Sequence, residues 1–274
     1  MRDSFAYAAE DLVRAGGGPE LAWEGATVTT QFQPIYCVRR GICLGFEALV
    51  QAHDAAGNHI ESERFFARDH AGGRPLLDWA CRALHLRSYA MVDPGDRSLF
   101  INIHPEAALH DARRGRDFGE LIRYYGLTPK RVCVEILEHS CSDEALLREA
   151  IEGYRALGAS IAMDDFGIGS SNFDRVAALR PDLVKIDKSV LSRALGRDKA
   201  SRALPVMVEL LHEMEVRVAV EGIETRAGAM AAIEARADYV QGFYFARPGT
   251  SLAPESGGFE RLDQLLHATT LAAA

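Results

Sequence analysis

Ile161-Ala162-Met163-Asp164-Asp165-Phe166-Gly167 opens the stretch whose reading decides the fold. A short apolar run gives way to two carboxylates and a glycine. A helical pattern follows over 172–179, and then comes a second apolar run, Leu183-Val184-Lys185-Ile186. Strand, helix and strand in this order form a βαβ unit, whose strands lie parallel. The same alternation continues outward from this unit. Strand-like runs lie at 99–103, 132–137, 216–220 and 240–245, and helical patterns at 75–91, 116–125, 143–157, 199–214 and 225–236. A helix over 258–269 closes the chain. Seven or eight such strands within 274 residues suit a closed α/β barrel. At the front, β-type runs at 28–38 and 42–51 meet at Arg39-Arg40-Gly41, which predicts a hairpin. The expected fold is therefore a modified TIM-type (β/α)8 barrel with one antiparallel strand from an initial hairpin. Residues 1–26 read as a lead-in, with an amphipathic helix over 5–15 and a joint at Gly16-Gly17-Gly18. The barrel takes 27–250, and 251–274 form a C-terminal helix and tail.

Composition narrows the functions. The chain is 48% apolar and 26% charged, enough for a sizeable core and contrary to a disordered chain. Thirty-one basic against 39 acidic side chains leave a formal charge of −8. That sign argues against DNA or RNA duplex binding, which rests on neutralising phosphates. It leaves room for a small phosphorylated ligand or a metal site built from carboxylates. Five cysteines without a C-x-x-C pair predict a reduced, cytoplasmic setting. No apolar run approaches the length of a membrane span, so no membrane insertion is expected of this chain.

The chemistry is read from what stands at or near the strand ends: Glu47, Asn102, Glu135, Asp164-Asp165, Lys185, Glu221 and Gln241. In a barrel these ends face one mouth, so the side chains converge. A single polar residue there is an ordinary loop start, but a succession of carboxylates is not. Clustered carboxylates repel one another unless cations neutralise them, and hard oxygen ligands suit Mg2+ or Mn2+. The composite reads as a two-metal hydrolytic site.

Glu47-Ala48-Leu49 resembles the signature tripeptide of the EAL domains, bacterial phosphodiesterases that act on cyclic di-GMP. The resemblance continues in order through Gln31-Phe32-Gln33-Pro34-Ile35, Ile101-Asn102-Ile103, Glu135-Ile136-Leu137-Glu138 and Asp164-Asp165-Phe166-Gly167. It ends with Val184-Lys185-Ile186-Asp187, Glu221-Gly222-Ile223-Glu224-Thr225 and Gln241-Gly242-Phe243-Tyr244-Phe245. It implies that Glu47, Asn102, Glu135 and Asp164 hold one metal, and that Asp164, Asp165 and Glu221 hold a second. Glu221 is then the general base, and Lys185 orients the water or stabilises charge. Gln33, Leu49, Gln51 and Gln241 fall at substrate-binding positions. Glu138 resembles the glutamate that holds the loop after Asp165. The implied reaction is hydrolysis of cyclic di-GMP to 5′-pGpG with two Mg2+ or Mn2+ ions, and the implied assembly is a homodimer.

Departures surround the site. Where the family has an arginine on a substrate phosphate, this chain has Gln51, which lacks the bidentate, charge-assisted contact. Such a loss costs about 1.5–3 kcal/mol of phosphate binding. Ile168-Gly169-Ser170-Ser171-Asn172 and Leu137 also differ from the family pattern. A second reading follows, a catalytically silent receptor of cyclic di-GMP or a protein-interaction module. A third is a lyase or aldolase barrel with Lys185 as a Schiff base, which requires an apolar pocket rather than neighbouring carboxylates. The histidines show no zinc spacing, and His104 is read as bordering the mouth without being a ligand. Neither a P-loop nor a G-x-S-x-G elbow occurs. Phe243-Tyr244-Phe245 is read as core packing rather than a base-stacking platform.

Overall fold

The computed structural model describes residues 13–15, 18–70, 72–92, 95–114, 117–137, 143–168, 173–196, 202–252 and 256–272. The strands are β1 (Val13–Ala15), β2 (Pro19–Trp23), β3 (Ala26–Cys37), β4 (Ile42–His53), β5 (His59–Ile60), β6 (Ser98–Ile103) and β7 (Val132–Leu137). They continue with β8 (Ser160–Phe166), β9 (Leu183–Ile186), β10 (Arg217–Val220) and β11 (Tyr239–Val240). The α-helices are α1 (Ser62–Phe66), α2 (Gly73–Met91), α3 (Pro105–Arg114), α4 (Asp117–Tyr124), α5 (Glu144–Leu157) and α6 (Phe173–Leu179). After them come α7 (Lys188–Ala194), α8 (Ala203–Glu213), α9 (Arg226–Glu234) and α10 (Ser256–Ala272).

Hydrogen bonding orders the strands β1-β2-β3-β11-β10-β9-β8-β7-β6-β4-β5, and a further β3–β4 pairing closes the ring from β3 round to β4. Strands β8, β9, β10 and β11 run parallel, whereas β3 pairs antiparallel with β11. This is the modified (β/α)8 barrel, with the hairpin supplying the antiparallel member. All four residues of β9 are buried, and so are the last three of β10. Burial on both faces is why these parallel strands read as near-continuous apolar runs.

Two compact units emerge within the chain, one from residues 1–32, 48–134 and 139–160, the other from 33–47, 135–138 and 161–274. In the first, the buried Arg82 guanidinium lies over the rings of Trp79 and Phe118, at 5.0 and 5.1 Å from their centroids. Its Nε pairs with Asp78 Oδ1 at 2.6 Å one turn back along α2. Asp78 Oδ2 also accepts from the His104 backbone N–H, which ties α2 to the end of β6. In the second, Asp187 caps α7 by accepting from Ser189 N–H, and Thr225 caps α9 by accepting from Gly228 N–H.

Three expectations are corrected. Residues 13–15 form a strand paired with β2 rather than the end of a helix, and the rest of the 5–15 segment lies outside the described residues. Pro19–Trp23 pairs with β3, so this part of the lead-in belongs to the sheet. The run at 240–245 is strand only through Val240, because Gly242 takes a φ of 152° and the chain turns. Phe245 is buried as expected, but Phe243 is 42% exposed, with the Arg247 guanidinium 4.4 Å from its ring centre. Among the described residues, no helix is long and apolar enough to cross a membrane.

Candidate active site

The second unit gathers its acidic side chains around one lysine. Lys185 stands one residue before the end of β9 and is fully buried. Its Nζ pairs with Glu221 Oε1 at 2.5 Å, Glu135 Oε1 at 2.8 Å, Glu47 Oε2 at 3.3 Å and Asp164 Oδ1 at 3.3 Å. Four carboxylates against one ammonium leave a formal excess of negative charge in a dry setting. Glu135 has no exposed surface, and Glu47 and Asp164 are buried as well. One carboxylate oxygen from each of Glu47, Glu135 and Asp164 lies within 4.8 Å of the other two.

Local backbone explains how each group arrives. β8 carries an extra residue relative to β9, because Met163 faces Val184 while Phe166 faces Ile186. The irregularity contains Asp164 and Asp165, and Asp165 takes a left-handed φ of 58° with its N–H donating to Asp164 Oδ1 at 3.0 Å. Glu221 follows the last residue of β10, and its N–H donates to Ile186 O. Gln241 follows β11 in the same way, with its N–H on Val220 O. Gly242 lets these two strand ends lie side by side. A Cβ there would run into the backbone of Ile223, whose N–H donates to Gln241 O and whose carbonyl accepts from Tyr244 N–H.

Gln241 is a buried brace. Its Nε2 donates to Glu47 Oε2 at 2.7 Å and to Gln33 Oε1 at 3.1 Å, and Gln33 Nε2 in turn donates to Ala246 O at 3.1 Å. Gln33 and Gln241, expected at substrate-binding positions, thus hold each other and a carboxylate. Glu47 lies in the middle of the 12-residue β4, not near its end. Leu49 and Gln51 follow at two-residue spacing on the same strand, both half-buried. Asn102 lies on β6 in the first unit and is half-buried. Glu138, Cys141 and Gly169 to Asn172 lie outside the described residues.

Electrostatics follows from crowding. Burial pushes the Glu135 carboxyl well above the usual carboxylate range; Lys185 partly offsets this, and Glu47 and Asp164 reinforce it. Burial and Asp164 do the same to Glu221, again against the pull of Lys185. Burial alone would strip Lys185 of its proton, but its four carboxylate neighbours outweigh that and hold it charged. A lysine held protonated among carboxylates is a poor nucleophile, which speaks against the Schiff-base reading.

The donor set fits divalent cations. Its hard oxygen donors are buried and exceed the positive charge around them, and Glu135 Oε2 has no hydrogen-bond donor among the described residues. The pattern of strand ends gives no sign of the hydrogen-bond chain from Ala246 to Glu47. Nor does it show the Asp78–Arg82 pair, whose one signal is an acidic and a basic residue four apart in the apolar stretch of α2.

The EAL domain family model matches residues 20–248. The oxygen sensor protein DosP of Escherichia coli is 27% identical over 79% of this chain and 28% of its own length. The cyclic di-GMP phosphodiesterase RocR of Pseudomonas aeruginosa is 28% identical over 55% of this chain and 38% of its own. The chain spans less than a third of the length of the first curated relatives it matches. Among solved structures, Bacillus subtilis YkuI, a protein with an EAL domain solved with c-di-GMP and calcium, aligns with a TM-score of 0.76. It is 25% identical over 90% of this chain and 62% of that one. A standalone EAL protein of Vibrio cholerae in its c-di-GMP-bound form shares the fold at a TM-score of 0.75 and 24% identity, over 88% of this chain and 99% of that one. A family match over most of the chain leads to one conclusion: the chain belongs to the EAL domain family.

Proposed function

We propose that this chain is a metal-dependent phosphodiesterase that hydrolyses cyclic di-GMP to linear 5′-pGpG. The observation that carries the reading is the buried excess of carboxylates around Lys185, within the span the family model matches. Glu47, Asn102, Glu135, Asp164, Asp165 and Glu221 would hold two divalent ions, Mg2+ or Mn2+. Bound there, such ions supply charge neutralisation and a lowered pKa for water. Calcium and manganese accompany c-di-GMP in related structures.

In this reading Glu221 takes a proton from the attacking water and Lys185 steadies charge on the phosphoryl oxygens. The water oxygen bonds to phosphorus, the bond from phosphorus to the 3′ oxygen breaks, and that oxygen leaves with a proton. Gln241 keeps the Glu47 carboxylate turned inward, and the short loop after β10 keeps Glu221 beside Lys185. Leu49 and Gln51 contact the dinucleotide from β4, and Glu138 supports the loop after Asp165. Cys37, Cys43, Cys81 and Cys133 form no disulfide among the described residues, in keeping with action in the reducing cytoplasm. We carry the homodimer as part of the proposal, and the exposed Ile168, Val206 and Leu210 are in keeping with it.

Gln51 favours a second reading, a receptor that binds cyclic di-GMP without turnover. Product chromatography after incubation with cyclic di-GMP and Mn2+ separates the two. The enzyme reading expects pGpG from the wild type and none from Glu221→Ala. Binding without turnover under both Mg2+ and Mn2+ would overturn it.

A further inference from the structure

The strands that carry Glu221 and Gln241 at one end carry something different at the other. Arg217 is the first residue of β10 and Tyr239 the first of β11, and Tyr239 pairs with Cys37 at the close of β3. Glu221 lies four residues after Arg217, roughly 13 Å along an extended chain. At this far end lies a cavity of about 430 Å³, lined by Cys37, Arg39, Arg40, Arg217, Asp238 and Tyr239. That volume is in the range of small-molecule sites.

Its charge runs against that of the protein. Three guanidiniums and one carboxylate line a cavity in a chain whose net charge is −8. The single acid is already engaged, because Asp238 Oδ2 accepts from Val218 N–H at 2.8 Å and lies 2.9 Å from His212 Nε2. Arg217 Nη1 donates to Tyr239 Oη at 2.7 Å, which fixes that guanidinium at the wall. Arg39 and Arg40 sit exposed on the β3–β4 turn, and neither has a carboxylate partner among the described residues. Guanidiniums left to face a shared cavity are matched by planar, multiply charged oxyanions. Cys37 and Tyr239, both buried, stand at the back of it.

We propose that this cavity is a second ligand site that binds a small phosphorylated anion, held by Arg39, Arg40 and Arg217, at the end of the sheet away from the carboxylate cluster. An acidic peptide would need a groove that runs on along the surface, whereas the three guanidiniums here line one cavity. The site is independent of the phosphodiesterase reading, since no residue is shared.

Calorimetric titration of the full chain tests it, with inorganic pyrophosphate and, separately, GMP as probes. EDTA is added so that no divalent ion lends the carboxylate cluster affinity for phosphate. The expected result is saturable binding of at least one probe, weakened about tenfold or more in the Arg39→Gln/Arg40→Gln variant and in Arg217→Gln. Circular dichroism melts of the Arg39→Gln/Arg40→Gln variant should match the wild type, because both side chains stand exposed on a turn. Absence of saturable heat with both probes, or equal binding by the variants, would overturn the proposal. So would tight binding of a polyglutamate peptide with no response to pyrophosphate or GMP.

Discussion

Lys185 and Arg82 are both basic side chains with about 1% of their surface exposed, yet their surroundings are opposite in kind. Arg82 pairs with the Asp78 carboxylate at 2.6 Å and spreads its plane over two aromatic rings, so acid and base stand one to one in this pair. Lys185 meets four carboxylates within 3.3 Å and cannot match them. A balanced buried pair is scaffold. A buried excess of one sign stores repulsion that protonation relieves in part and a ligand of the other sign relieves more fully.

The largest expected effect breaks each centre in turn. Lys185→Met and Arg82→Met should each lose about 3–5 kcal/mol of stability without metal, since each leaves buried carboxylate without its cation. Mn2+ then separates them. At a fixed concentration, one hundred times the wild type's dissociation constant, the wild type and Arg82→Met, which keep the same cluster, should each gain about 2.7 kcal/mol per bound ion, and Lys185→Met, with its carboxylates freed, should gain more. For Arg82→Met, rescue should come from adding Asp78→Asn, which removes the stranded charge. Chemical denaturation with and without Mn2+ measures both effects. If Asp78→Asn fails to recover Arg82→Met, or Lys185→Met gains no more from metal than the wild type does, the contrast is erased.

A smaller effect sharpens it. Gln241→Ala removes the donor that holds Glu47 Oε2 at 2.7 Å and should cost about 1–3 kcal/mol, read by thermal melts. Part of that loss should disappear with Mn2+, because the ion would take over the freed carboxylate. The least effect concerns Cys81, beside Arg82 in the sequence. Burial, reinforced by Asp78, pushes its thiol far above its usual range, so it stays neutral and hidden across about pH 7–9. Maleimide should leave Cys81 unlabelled in the native protein and label it in denaturant, as peptide mass analysis would show.

The same contrast explains what the amino-acid sequence makes legible. Parallel strands buried on both faces are continuous apolar runs, and polar residues that interrupt or end them stand out. Lys185, Glu135 and Glu221 are therefore visible in the sequence itself. Glu47 is found by its tripeptide rather than by position, since it sits in the middle of β4, where a carboxylate in a half-buried strand reads like many others. α7 escapes notice although Asp187 and Ser189 spell its cap, because seven residues are too few for a helical period to register. α3 escapes too, although Pro105 marks a first helical position. Alternation along an extended strand assigns Phe243 to the core, and the turn at Gly242 reverses that. The Gln33–Gln241–Glu47 chain joins residues about 200 apart, and no local pattern can announce such a meeting.

Binding of divalent ions by the carboxylate excess around Lys185 is the central proposal. Titration with Mn2+, followed by the loss of the free-ion signal in electron paramagnetic resonance, tests it most directly. The account predicts saturable binding of two ions per chain, with most of that binding lost in Glu135→Gln although this variant keeps the side chain's size. An undiminished free-ion signal in the folded wild type, or full binding by Glu135→Gln, would contradict it.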